Sequence, residues 1–248
     1  MGTAITTITT ISEAGATGRD AFPGAVDLVP LLVWLSPAYP VGSFAYSHGL
    51  EWAVETGDIK DAASLRGWIE DLLRHGGPFA DAVLLAHAWR AVESGRDADF
   101  IEVAELGAAF APSRERQMET LNQGDAFLAA TRAAWPAPAL ERACAAWGGR
   151  YAYPVAVGAA AAAHGLPLGS TLTGFLTAVC ANLVSAAVRL VPLGQADGNH
   201  VLASAARSLS DVALAAMDVP LARLGGAALR SDIASMRHET QYTRLFLS

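Results

Sequence analysis

The sequence predicts an all-α fold. Apolar residues recur at the 3.6-residue period of a helix, Gly and Pro punctuate the gaps, and no interior run alternates as a strand would. The clearest helix lies at 61–76, where Leu65, Trp68, Ile69, Leu72 and Leu73 share one face and Arg66, Glu70, Asp71 and Arg74 the other. Asp61 or Ser64 can cap its start, and Gly76-Gly77-Pro78 stops it. Segment 79–94 repeats the pattern with Val83, Leu84, Ala88 and Val92 before Gly95. Further helices are read at about 98–110, 113–134, 139–147, 154–163, 170–190 and 199–217. Pro112, Pro136, Pro138, Gly148, Gly149, Gly165, Pro167, Pro192 and Gly194 separate them. In the last, Leu202, Ala205, Leu209, Val212, Ala213 and Ala216 again form one stripe. The expected architecture is an array of about eight to ten helices.

No linker rich in Pro or Ser divides the chain and no repeat is evident, so one domain over 25–248 is expected. Residues 1–24 read as a flexible tail: Thr and Ile suit a strand, but Gly and Ala follow them at a chain end. That segment has no basic start and no apolar core of signal-peptide length. A chain of 248 residues can bury roughly 70–75% of its unfolded surface without staples. With 52% hydrophobic and 17% charged residues it falls in the globular class. The net charge of −7 argues against nucleic acid and anionic lipid as partners and leaves a basic protein surface open. Cys144 and Cys180 read as free thiols of a reducing, cytoplasmic compartment.

The 38 residues from Tyr151 to Val188 contain no Asp, Glu, Lys or Arg. A membrane hairpin needs about 20 apolar residues per span. Gly165, Pro167, Gly169 and Ser170 break this stretch, and Thr171, Thr173, Thr177, Asn182 and Ser185 dilute it. Two central helices buried by their neighbours are the expectation.

Catalytic chemistry finds little support. Lys60 is the only lysine and Asp61 follows it, so the phosphate-binding G-x-x-x-x-G-K-[ST] loop is impossible. His48 and Glu51 stand at i and i+3, but further metal ligands are not evident and no metal or cofactor is expected. The string Ala45-Tyr46-Ser47-His48-Gly49 is a relaxed nucleophile elbow, with Asp197 and His238 downstream in hydrolase order. A serine hydrolase using Ser47 is therefore the alternative, although Pro37, Pro40 and Gly42 precede the string where an elbow needs a strand.

Three blocks carry a resemblance. Leu35 to Glu51 holds Ser36-Pro37, Pro40-Val41-Gly42, Phe44-Ala45-Tyr46-Ser47 and Gly49-Leu50-Glu51. Arg189-Leu190-Val191-Pro192-Leu193-Gly194-Gln195 follows a long helix, and Met236 to Phe246 closes the chain. In this order and spacing they resemble the signatures of the UreF family of urease accessory proteins, over nearly the whole chain. The resemblance implies an all-α, non-catalytic maturation factor for a nickel enzyme. Such a factor binds UreD (also called UreH) and recruits the GTPase UreG to the urease apoenzyme. It thereby gates GTP-dependent nickel insertion and carbamylation of the active-site lysine. The resemblance also implies a homodimer.

Physics gives these blocks further meaning. Ser36, Pro37, Pro40, Gly42, Gly49, Pro192 and Gly194 read as architectural turn residues. Phe44, Ala45, His48, Glu51 and Trp52 are expected to line a new helix from which Tyr46, Ser47 and Glu51 reach outward. Arg189 either caps carbonyls at a helix C-terminus or faces a partner, and Gln195 stands beside it in the same block. Arg237, His238, Glu239, Gln241, Tyr242, Arg244, Leu245 and Phe246 combine the residue types of interface hot spots. They are expected to order fully against another subunit.

Overall fold

The computed structural model describes residues 27–248, which form eleven α-helices and two 3-10 turns, with no strand among the described residues. The expected tail at 1–24 lies outside the described residues. In chain order the elements are α1 (Val29–Trp34), a 3-10 turn (Ser43–Ala45), α2 (Leu50–Glu55), α3 (Ala62–His75) and α4 (Gly77–Glu93). Then come α5 (Asp97–Ala109), α6 (Arg114–Ala134), α7 (Pro138–Ala146) and α8 (Tyr153–Ala163). The chain continues through α9 (Leu168–Leu190), α10 (Gln195–Met217), a second 3-10 turn (Leu221–Arg223) and α11 (Leu229–His238).

Local chemistry accounts for several boundaries. At α3 the Asp61 carboxylate accepts the Ser64 amide at 2.8 Å while Ser64 Oγ accepts the Asp61 amide at 3.1 Å, a reciprocal capping box. Ser113 Oγ accepts the Arg116 amide at 3.1 Å and starts α6. Pro78, Pro138 and Pro154 sit in the first turns of α4, α7 and α8, where a missing N–H costs no intrahelical bond.

The centre of the core is α8, buried from Pro154 to Ala161 and packed on α4 and α6. Its small residues set the spacing: a Cβ on Gly158 would lie 2.4 Å from the Leu85 carbonyl oxygen of α4. The α9 helix packs on α10, α4, α2, α3 and α8, but only with one face. Thr177 and Ser185 are exposed and Thr173, Ala178, Ala181 and Asn182 half-buried. The first helix of the neutral stretch is thus a core helix, whereas the second turns outward a side that is uncharged as far as Arg189. By length and composition α9 could cross a membrane; half of its most apolar window is buried within the protein.

At the other end of the core, Trp34 is enclosed by the edges of Phe127, Trp135 and His164, at 5.9, 6.0 and 5.1 Å between ring centroids. Tyr39 Oη lies 2.8 Å from Thr131 Oγ1. These contacts pin α1 and the following corner to α6. The corner differs from its sequence reading. No helix begins at Phe44; after the 3-10 turn Tyr46 is extended (φ −122°) and His48 and Gly49 are left-handed (φ 58° and 76°), so α2 starts only at Leu50. The local reason is close packing: a Cβ on Gly49 would lie 2.6 Å from the Ser235 nitrogen of α11.

Replacing Gly158 with Ala should lower the unfolding free energy by about 1–3 kcal/mol through overpacking. Gly67→Ala, which meets open space on α3, should be neutral or stabilise by up to about 1 kcal/mol. Urea titrations followed by circular dichroism distinguish the two; equal midpoints would refute the close α4–α8 packing.

Candidate functional site: a groove, a clamped tail and an exposed helix face

A groove of about 750 Å³ opens between α1, the corner after it and α9. Leu31, Leu32, Leu35 and Phe44 supply one wall and Gly174 and Ala178 the other. On its rim Leu32 is 71% and Phe44 68% exposed, large apolar side chains that the described residues do not cover. At the floor stand His48, Asp81, Arg116 and Glu119.

Glu119 organises that floor. It is almost completely buried, and its carboxylate meets His48 Nε2 at 2.8 Å, Gln123 Nε2 at 3.0 Å and Ser248 Oγ at 2.7 Å, besides the Arg116 guanidinium. Burial alone would raise its pKa; Arg116 and His48 overcome that and bring it down to about 2. Asp81 has the opposite balance. Burial pushes its pKa up to about 6, because Arg116, 3.9 Å away, compensates only in part. Burial also lowers the pKa of His48, aided by Arg116 and opposed by Glu119. The floor therefore keeps Glu119 ionised and leaves Asp81 short of a partner.

The C-terminal tail closes over the other side of the corner. Glu51, expected to reach outward, is buried: its carboxylate accepts the amides of Leu245 at 2.7 Å and Phe246 at 3.0 Å. Ser47 is fully buried, and both its amide and its hydroxyl donate to the Ser248 carbonyl at 2.6 Å. Tyr46 is also buried and its carbonyl accepts from Asn182 at 3.3 Å. These three therefore hold the chain to itself, a correction to the outward reading that follows from α2 beginning at Leu50. Buried His238 lies between Glu115 (2.6 Å) and Glu51 (3.3 Å), and Arg244 reaches Glu115 at 2.7 Å. Glu239 accepts the Arg114 amide at 2.8 Å, and Gln241 donates to Glu55. Arg189 bonds carbonyls of its own chain. It donates to the Ser185 carbonyl at 3.4 Å, as a C-terminal cap does, and to the Phe44 carbonyl at 2.8 Å. Its guanidinium also stacks 4.3 Å above the buried Phe246 ring.

The tail is thus ordered on its own chain, with part of it left outside. Tyr242 and Leu245 are exposed, as are Arg237 and Arg244, and Gln195 is exposed at the start of α10. The α11 helix adds residues that the sequence reading did not single out: Leu229, Ile233 and Met236, at i, i+4 and i+7, are each more than half exposed. The opposite face of α11, with Ala234, Ser235 and His238, is buried against α2 and α6. Their apolar spacing was legible; which face turned outward was not. Glu119, Arg116, Asp81 and Glu115 were also missed, since nothing local marks a helix carboxylate as the partner of a residue far along the chain.

The hydrolase constellation does not assemble. Ser47 Oγ is occupied by the Ser248 carbonyl, His238 by Glu51 and Glu115, and Asp197 accepts the Gly194 amide at 3.3 Å at the exposed start of α10. His48 and Glu51 do not pair either, because His48 precedes the helix and turns to Glu119. Among the described residues no three His, Cys, Asp or Glu side chains converge as metal ligands do. Ser36 Oγ donates to the Val33 carbonyl behind α1, Gly42 is left-handed, and Pro192 and Gly194 lie between α9 and α10.

Comparison with known proteins places this chain among relatives of one kind. The profile of the UreF family matches residues 59–206. A relative from Rhodopseudomonas palustris (strain TIE-1), named urease accessory protein UreF, is 53% identical over 241 residues, covering 97% of this chain and all of the relative. Proteins of the same name from Xanthobacter autotrophicus and Bradyrhizobium diazoefficiens are 53% and 50% identical, over 95% and 96% of this chain and 97% and 99% of their own lengths.

Because Asp81 titrates near 6 in the folded chain and near 3.8 when unfolded, its ionisation opposes folding. The contribution of Asp81 to stability should fall as pH rises from about 4 to 6, by at most about 3 kcal/mol, and stay low above. Asp81→Asn should match the wild type near pH 4 and exceed it at pH 8 in chemical denaturation. A variant less stable at pH 8 would mean that the Arg116–Asp81 attraction outweighs burial.

Proposed function

This chain belongs to the UreF family of urease accessory proteins, and we propose that it works as the scaffold on which the maturation complex assembles. An accessory role in urease maturation is common to the relatives. The finer reading is that the chain binds UreD/UreH, and that the pair recruits the GTPase UreG to apo-urease in the cytoplasm. Nickel insertion and lysine carbamylation are then gated by GTP hydrolysis on UreG. The residues here hold partners in register and carry out no covalent step.

The observation that carries this reading is the uncovered apolar face of α11, with Leu229, Ile233 and Met236, together with Tyr242 and Leu245 of the tail. Large apolar and aromatic side chains left outside, flanked by Arg237 and Arg244, have the composition of a hot-spot patch with a polar rim. This is the surface we assign to UreD/UreH. The buried residues Ser47, Glu51, His238 and Phe246 serve it indirectly, by holding the tail in place.

The groove between α1 and α9 is assigned to a second copy of the chain. The molecule carries a net charge of −7, so two copies repel over most orientations. The exposed side of α9 carries no charge before Arg189, and Leu32 and Phe44 stand on the rim of a groove with apolar walls that can receive their counterparts. A twofold interface must complement itself, and an apolar knob beside a groove with apolar walls satisfies that requirement.

Two measurements test these assignments. In size-exclusion chromatography with light scattering, co-expressed UreD and UreG should co-elute with the wild type in the presence of GTP and magnesium. Ile233→Asp with Met236→Asp should weaken UreD binding by about thirtyfold or more while the helical spectrum is kept. Unchanged co-elution would move the UreD surface elsewhere. Separately, Phe44→Asp should convert the isolated dimer to monomer; a folded variant that stays dimeric would remove the groove from the interface.

A further inference from the structure

The corner at 42–49 is shared between the groove and the tail. Its Phe44 and Ser43 side chains and His48 line the groove. The same segment is held from behind by the chain end: Leu247 donates to the Ala45 carbonyl at 2.8 Å, and Ser47 donates to the Ser248 carbonyl. Arg189 bridges the two sides, with its guanidinium on the Phe44 carbonyl and on the Phe246 ring. Glu119 bridges them again, binding His48 at the groove floor and Ser248 in the tail. His48, at φ 58°, is the only left-handed residue other than glycine among the described residues, so its conformation is held by these partners.

We propose that self-association and tail docking are linked through this corner: the docked tail holds the Phe44 wall in the shape that receives a second copy. The proposal rests on the assignment of the groove to self-association and adds what regulates it. With the tail released, Arg189 loses the Phe246 ring that holds its guanidinium beside the Phe44 carbonyl, Glu119 loses Ser248 as a partner beside His48, and the corner relaxes toward ordinary backbone. Self-association must then weaken. Linkage is reciprocal, so a dimer must hold its tail more firmly than a monomer does, by the same factor. A partner that grips the exposed Tyr242 and Leu245 without detaching Phe246 leaves the dimer intact, whereas one that pulls the tail away loosens it.

The test is sedimentation equilibrium on the full chain and three variants. Deleting 246–248 and, independently, Arg189→Ala should each raise the dimer dissociation constant by about tenfold or more. Glu70→Gln, exposed on α3 and away from the corner, should leave it unchanged. Circular dichroism and a thermal melt establish that each variant is folded; should the deletion unfold, Arg189→Ala still decides. Amide exchange at 245–248 in the wild type should slow as concentration passes the dissociation constant. A wild-type dimer whose affinity ignores both tail variants overturns the linkage while leaving the groove assignment standing. A wild type that is monomeric throughout overturns the groove assignment, and the linkage with it.

Discussion

The organisation of this surface follows from one buried carboxylate. Taking an ion such as Glu119 out of water costs several kcal/mol unless charge and hydrogen bonds replace the lost solvation. The folded chain meets that demand from four directions: Arg116 and Gln123 on the same helix, His48 in the corner and Ser248 in the tail. Because those ligands come from segments more than a hundred residues apart in places, satisfying Glu119 fixes where the corner and the chain end sit. Glu51 repeats the device one layer outward, with two tail amides and His238 around it.

Beneath this polar layer lies a core of another kind. Around α8 the residues are small and neutral, so helices approach closely and dispersion contacts hold them. Such packing is rigid and offers a firm base for α4, α6 and α9. The polar layer is held by fewer, directional bonds, and it is there that the tail and the corner meet. Stability and recognition are thus assigned to different chemistries: an apolar interior that fixes the frame, and a buried polar network that sets the two surfaces presented to other chains.

Asp81 and Glu119 show how position separates two carboxylates of the same floor. Glu119 is buried and Asp81 largely so, and both face Arg116, but Glu119 has direct contact with it and Asp81 does not. The pKa of one falls to about 2 and that of the other rises to about 6. The pair contributes to stability with opposite signs as pH changes, a balance decided by the direct contact of Glu119 with Arg116 and by its bonds to His48 and Ser248.

Helix periodicity, capping residues and Gly or Pro breaks are local signals, and from them the sequence alone determined the all-α class and the approximate span of α3 to α10. The three motif blocks, read together, also determined the family. Tertiary structure alone decided what those blocks do. The corner around Tyr46, Ser47 and Glu51 reads as an outward helix because periodicity records spacing and not which side meets another element; docking of α11 on Gly49 turned it inward. The two helices of the neutral stretch both lack charge up to Val188, yet α8 became core and α9 kept an open face, since that depends on how many neighbours surround each. Glu119 carried no local mark at all. A residue whose partners lie far away in the chain acquires its role only when folding brings them within hydrogen-bond reach.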